Sequence, residues 1–309
     1  MTKNTLGDAW MRFQVSDGSF INDSGAKIAG ADAYLMVKAK DAIGSVDKPI
    51  ETRVAEMTLA TAQHGRGDVV FVEDDDLTLV EERALSSIEN PGFFLDMTPE
   101  DSQWETKADW VFDTSAGAAE WRDLIQKNRS NIRSDVAIEV AHGDLSIDIL
   151  IEDGLLKLKS GYLRVLEDNK NITLTVDDID MISGASRMVG AGLLTLRTQK
   201  LVSDYFMGTA AETATGQDWP EDGAWQTSDP GFYFSLRDIG AIADGFDEIH
   251  IGRTDYLNTM TLGDINVSDT VKSSGLARDD TARVASWRDE TFLYSDRMTV
   301  VGDVQAPAD

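Results

Sequence analysis

Apolar and polar residues alternate in short runs along this chain, and nowhere more regularly than after Asp135. Val136-Ala-Ile-Glu-Val140, Leu145-Ser-Ile-Asp-Ile149, Leu156-Lys-Leu158, Tyr162-Leu-Arg-Val165 and Asn171-Ile-Thr-Leu-Thr-Val176 follow one another. His142-Gly-Asp144, Asp153-Gly154, Ser160-Gly161, Asp168-Asn169 and Asp177-Asp178 separate or close these runs. Alternate side chains of a strand point to opposite faces, so Leu145/Ile147, Leu156/Leu158 and Ile172/Leu174 are expected inward pairs. Turns about every eight to twelve residues predict many short strands rather than a few long elements.

The same pattern extends in both directions. Tyr34, Met36 and Val37 predict a strand with a core role, and Asp17-Gly18 predicts a turn. Gly44 and Pro49 predict a corner, because Gly frees the backbone and Pro cannot donate to a ladder. Val69–Glu73, the triplet Asp74-Asp75-Asp76 and Leu77–Val80 read as strand, acidic turn, strand. Toward the C-terminus, Phe232–Leu236 reads as extended, and Thr291–Tyr294 and Met298–Val300 as terminal strands. Between Ile239 and Val271 no apolar face recurs long enough to predict a helix. That stretch reads instead as two neighbouring turns of a stack, with Phe246, Ile249, Ile251, Leu262, Ile265 and Val267 in the core.

Residues 84 to 134 break the pattern. After Asn90-Pro-Gly92 come Phe93, Phe94, Trp104, Trp110, Phe112 and Trp121, and Ala118, Trp121, Leu124 and Ile125 could line one face of a short helix. This is expected to be an aromatic-rich excursion or cap against the β body. The remaining divisions are N-terminal coils in 1–83, central and C-terminal coils in 135–271, and terminal strands with a frayed tail in 272–309.

Composition narrows the functional classes. The 309 residues include 55 acidic and 28 basic side chains, a formal net charge of -27, with 42% hydrophobic residues and no cysteine. Such a surface repels nucleic acid and anionic membranes. Without cysteine there are neither disulfides nor thiolate metal sites. The N-terminal residues lack the apolar segment of a signal peptide, and no run is long enough for a transmembrane helix.

Candidate chemistry is sparse. Asp74, Asp75 and Asp76 supply hard oxygen ligands and are candidates for calcium, with a solvated corner as the leading reading and no cofactor required. Trp104, Trp110, Trp121 and Trp225 are candidates for stacking on sugar rings, against the plainer reading of buried anchors. His64, His142 and His250 are too dispersed to define a cluster. Asp144, Asp148, Asp177, Asp178 and Asp180, with Arg164, Arg187 and Arg197, form an acidic and basic inventory that a polysaccharide-processing enzyme would have to bring together. No residue is assigned a catalytic role.

A resemblance adds to this reading. Ala42–Thr52, Gly67–Leu79, Asn171–Asp180, Gly192–Leu196 and Leu236–Arg253 resemble repeats of very large exported bacterial adhesins of the filamentous-haemagglutinin-like type. The resemblance implies an all-β fold, an irregular right-handed parallel β-helix (β-solenoid), in a secreted or cell-surface setting. It also implies one segment of a much longer stalk; the repeat-like β units and the lack of a strong catalytic motif make a non-enzymatic structural or adhesive segment the leading reading. Surface glycans or proteins, adjacent segments, or homotypic end-to-end contacts would be its partners. A carbohydrate-binding module or a polysaccharide-processing β-helix enzyme is the alternative.

Overall fold

The computed structural model describes residues 10–15, 17–61, 66–81, 93–96, 136–150, 154–181, 187–200, 202–208, 210–211, 231–243, 245–255, 257–263 and 290–301. The candidate helix around Trp121 and the expected core residues Ile265 and Val267 lie outside these residues.

The chain folds as an all-β domain dominated by one large, curled, mostly parallel sheet. Strands β1 (Trp10–Val15), β2 (Lys27–Ala39) and β3 (Ile50–Thr61) pair in sequence order at one end. The outer edge of β1 is taken by β6 (Phe93–Asp96), with Met11 opposite Phe93 and Phe13 opposite Leu95. The remaining strands of this sheet return repeatedly to three columns that start along the length of β3.

The first column runs through β4 (Val69–Glu73), β8 (Leu145–Ile149), β11 (Ile172–Thr175), β14 (Leu193–Arg197), β17 (Glu248–Gly252) and β19 (Glu290–Tyr294). Its register stacks Ile50, Phe71, Ile147, Leu174, Leu196, Ile251 and Leu293 in line. All but Leu293 are buried. The second column holds β5 (Leu77–Leu79), β9 (Leu155–Leu158) and β12 (Asp178–Asp180), placing Leu77, Leu156 and Ile179 in line. The third holds β7 (Val136–Val140), β10 (Tyr162–Val165) and β13 (Arg187–Val189), with Leu59, Ile138, Leu163 and Met188 in line and a bridge onward to Ile242.

Period-2 alternation accounts for this register. Strands β8, β9 and β14 alternate buried and half-buried residues, so a one-residue slip would expose an entire aliphatic row. Burial of each of these Leu and Ile side chains contributes about 1.5–3 kcal/mol. All six residues expected as the Leu145/Ile147, Leu156/Leu158 and Ile172/Leu174 pairs are buried, as are Phe246, Ile249, Ile251 and Leu262.

The corners are tied by polar side chains. Asp144 N–H donates to Asp68 Oδ1 at 3.0 Å, Asn171 N–H to Asp144 Oδ1 at 2.8 Å, and Leu193 N–H to Asn171 Oδ1 at 3.0 Å. This ladder joins four successive passes where the chain enters the first column. At another corner Gly44 has φ +72, and a Cβ there would lie 2.2 Å from the Val70 carbonyl oxygen. Only glycine fits so close an approach.

A second, four-stranded sheet has the order β16 (Gly231–Phe234), β15 (Val202–Met207), β18 (Leu257–Leu262) and β20 (Arg297–Val300). Tyr205 sits opposite both Phe232 and Met260, and Met207 opposite both Phe234 and Leu262; all six are buried. Two expectations for Ile239–Val271 are corrected here. Strands β17 and β18 belong to different sheets, so they are successive sides of one pass rather than neighbouring turns. A helix, α1 (Leu236–Ala241), enters the stretch from its N-terminal side. Its six residues are too few for an apolar period to show, and Ser235 with Asp238 supplies a capping box that fixes it locally.

Candidate functional site

The place where the two sheets meet gathers the most unusual chemistry. Strands β12 and β16 lie side by side but in different sheets. Carboxylates span the seam instead of backbone ladders. Asp178 Oδ1 accepts from the Tyr233 N–H at 3.0 Å and from its neighbour Ile179 at 3.0 Å. Asp238, on α1, accepts the Met181 N–H through Oδ1 at 2.8 Å. Its Oδ2 accepts from Ser235 N–H at 2.9 Å and from the Ser235 hydroxyl at 2.5 Å. One residue before β12, Asp177 Oδ1 accepts from Gln199 and Lys200 N–H at 3.0 and 3.2 Å.

Burial sets the protonation of this cluster. Asp180 and Asp238 are buried, and Asp178 is half-buried as a residue with its carboxylate inside the packed protein. Desolvation raises Asp178 well above the usual carboxylate range. Desolvation, then the charge of Asp238, raises Asp180 to about 7. Desolvation raises Asp238 to about 6 against the opposing hydrogen bonds from Ser235 and Met181. Desolvation also lowers Arg237, partly offset by attraction to Asp180 and Asp238. Carboxyl groups that titrate near neutrality suit general acid chemistry. Here the oxygens of Asp178 and Asp238 are engaged by backbone N–H groups, and Asp180 and Asp238 are shielded from solvent. The arrangement is a clasp between sheets.

The remaining candidate residues occupy separate places. Asp144 belongs to the corner ladder, and Asp148 pairs in register with Thr175 on the outward side of the first column. Arg164 is buried against Glu139, with nitrogen–oxygen contacts of 2.6 Å, and this commits it to an ion pair instead of sugar recognition. Arg197 points outward and donates through Nε to Thr175 Oγ1 at 3.1 Å. The Arg187 side chain, His64, Trp104, Trp110, Trp121 and Trp225 lie outside the described residues.

The acidic triplet does form the turn between β4 and β5, but its members diverge. Asp74 meets Lys27, Asp75 Oδ2 lies 3.3 Å from Arg53 Nε, and Asp76 Oδ1 accepts the Leu155 N–H at 2.9 Å. Among the described residues no three His, Cys, Asp or Glu side chains are grouped to hold a metal ion. Adjacent Glu73 is buried and accepts from Val54 and Asp74 N–H, and desolvation raises it to about 7.

His142 Nδ1 lies 3.7 Å from Glu167 Oε2. His250 is set among more partners. Its Nε2 is 2.8 Å from Glu248 Oε2, its Nδ1 is 3.4 Å from the Tyr294 hydroxyl, and its ring meets Phe292 and Tyr294 edge-on. Sequence spacing missed this group because Glu248 and His250 are separated from Tyr294 by 44 residues or more, and only the pairing of β17 with β19 joins them.

No helix among the described residues is long and apolar enough to cross a membrane. No family model, curated protein or solved structure matches the chain.

Proposed function

We propose that this chain is a non-enzymatic structural segment, an irregular right-handed parallel β-helix that presents outward surfaces from an exported bacterial protein. The observation that carries this reading is the ordered return of the chain to the same columns. Strands β8, β11, β14, β17 and β19 add in sequence order; β9 and β12 of the second column are visited between the first returns, and β15, β16 and β18 of the four-stranded sheet between the later ones. Right-handed crossovers are the strong rule for such parallel connections. The resemblance of Asn171–Asp180 and Leu236–Arg253 to adhesin repeats supports a secreted or cell-surface setting.

In this reading the mechanism is mechanical. Inward aliphatic rows hold successive passes together, and the Asp68–Asp144–Asn171 ladder and the Asp178/Asp238 clasp tie the points where ladders end. The outward residues then keep a fixed spacing set by the strand separation.

Pulling the full chain from residues 10 and 301 in a single-molecule force experiment tests the proposal. Stepwise extension, with increments matching successive passes, is expected of a stack whose units contact chiefly their neighbours. One all-or-none extension at low force would overturn it.

A further inference from the structure

Asp178 and Asp180 stand two residues apart on β12, so both project from the face opposite buried Ile179. In register, Asp180 lies beside Lys157 of β9. Tyr233 of β16 and Ser235, Arg237 and Asp238 at the start of α1 come against the same face, and the charges of Asp238, Arg237 and Lys157 all act on Asp180. The three carboxylates are not equivalent. Asp178 accepts the Tyr233 N–H and Asp238 accepts the Met181 N–H, each across the seam. Asp180 is 2% exposed, and its Oδ2 is sealed from solvent with no hydrogen-bond partner. Neighbouring Asp177 is committed elsewhere, to the Gln199 and Lys200 N–H groups, with Lys200 Nζ 3.9 Å from its Oδ2.

We propose that this seam is a proton-operated latch: with Asp180 neutral it stays shut, and with Asp180 ionised β12 parts from β16 and α1 while the three columns remain stacked. A negative charge walled in without a donor is unfavourable, and the carboxylates of Asp178 and Asp238 add like charge nearby. Desolvation and the charge of Asp238 accordingly raise Asp180 to about 7, with Arg237 and Lys157 offsetting part of the rise. Parting the seam admits water to Asp180, and water also takes over the Tyr233 and Met181 amides. Asp180 holds its proton more tightly in the closed seam than in the open one. Closure is therefore favoured at low pH and lost as pH rises through about 7. Topology makes the opening local. No strand pairing joins β12 to β16 among the described residues, only these carboxylate bonds and side-chain packing. Strands β8, β11, β14 and β17 are held by continuous ladders over buried Ile147, Leu174, Leu196 and Ile251. Elements with the fewest such ties open first. The latch goes beyond the presentation reading and does not depend on the chain belonging to an exported stalk.

Amide hydrogen exchange of the full chain between pH 5 and pH 8, at zero and low urea, tests the latch. After correction for the chemical exchange rate, protection at Met181 and Tyr233 is expected to fall about tenfold or more across that range. At every pH it should lie below protection at Leu174 and Leu196 and depend only weakly on urea, whereas exchange at Leu174 and Leu196 should rise steeply with urea. In Asp180→Asn the fall at Met181 and Tyr233 should be smaller by about threefold or more. Protection at Met181 and Tyr233 that does not fall with pH would overturn the proposal. So would protection and urea dependence equal to those of Leu174 and Leu196, because the seam would then open only with the whole molecule. Both readouts use the unaltered protein and need no variant to fold. An unchanged fall in a folded Asp180→Asn protein would overturn the assignment of the latch to Asp180.

Discussion

The carboxylate of Asp238 accepts the backbone N–H of Met181 at 2.8 Å, across 57 residues of chain. That bond and the matching one from Tyr233 to Asp178 join two sheets that share no ladder at this point. An unpaired buried amide costs about 1–3 kcal/mol. Asp238→Ala is therefore expected to destabilise the protein by about 1–3 kcal/mol, with loss of the α1 cap included. Urea unfolding measures the change, and faster hydrogen exchange at the Met181 amide assigns it to the seam.

The seam also gives stability a sign with pH. Asp178 is raised well above 3.8, Asp180 from 3.8 to about 7, Asp238 from 3.8 to about 6, and Glu73 from 4.5 to about 7. A folded carboxyl raised above its unfolded value binds more protons in the folded state. Its stabilising contribution is complete below the unfolded value and is lost as pH rises through the folded one. The unfolding midpoint is expected to fall between pH 5 and pH 8 by calorimetry. Asp180→Asn should flatten this fall. Exposed Asp23 and Asp255, held low by hydrogen bonds from Lys48 and Arg253, act in the opposite sense only in more acidic solution.

Asn171 is central to the corner ladder, since its backbone N–H donates and its side-chain oxygen accepts. Asn171→Ala leaves the Leu193 N–H without this acceptor and is expected to cost about 1–3 kcal/mol. Asn171→Asp keeps the oxygen and should cost less. Chemical denaturation of both variants provides the comparison.

The Glu139–Arg164 pair is predicted to behave asymmetrically. Glu139→Ala leaves the buried guanidinium without its carboxylate and should cost about 3–5 kcal/mol, while replacement of both residues by Met and Leu should be near neutral. Thermal unfolding of the single and double variants separates the two effects.

Much of this architecture is written in local pattern. Leu145 with Ile147 and Ile172 with Leu174 alternate so regularly that their inward direction follows from the two-residue period alone. Asp17-Gly18 and Gly44 likewise mark turns through backbone freedom, and both glycines have positive φ. The seam was only half legible. Asp178 and Asp180 stand out as acidic residues on one face of a strand, but Asp238 reaches them through a helix too short to have a period. The group around His250 was hidden for another reason. His250, Phe292 and Tyr294 become neighbours only through parallel pairing across an intervening segment, and single-strand spacing carries no record of its partner.

Successive passes return to one column in the order β8, β11, β14, β17, β19. The chain has no cysteine, so spin labels can be placed at Ser146 and Phe292 alone. These positions are four strand steps apart in register, through Thr173, Thr195 and His250. Double electron–electron resonance is expected to give one narrow distribution around a backbone separation of about 19 Å, allowing for label length. A broad distribution, or a separation near twice that value, would contradict the stacked account.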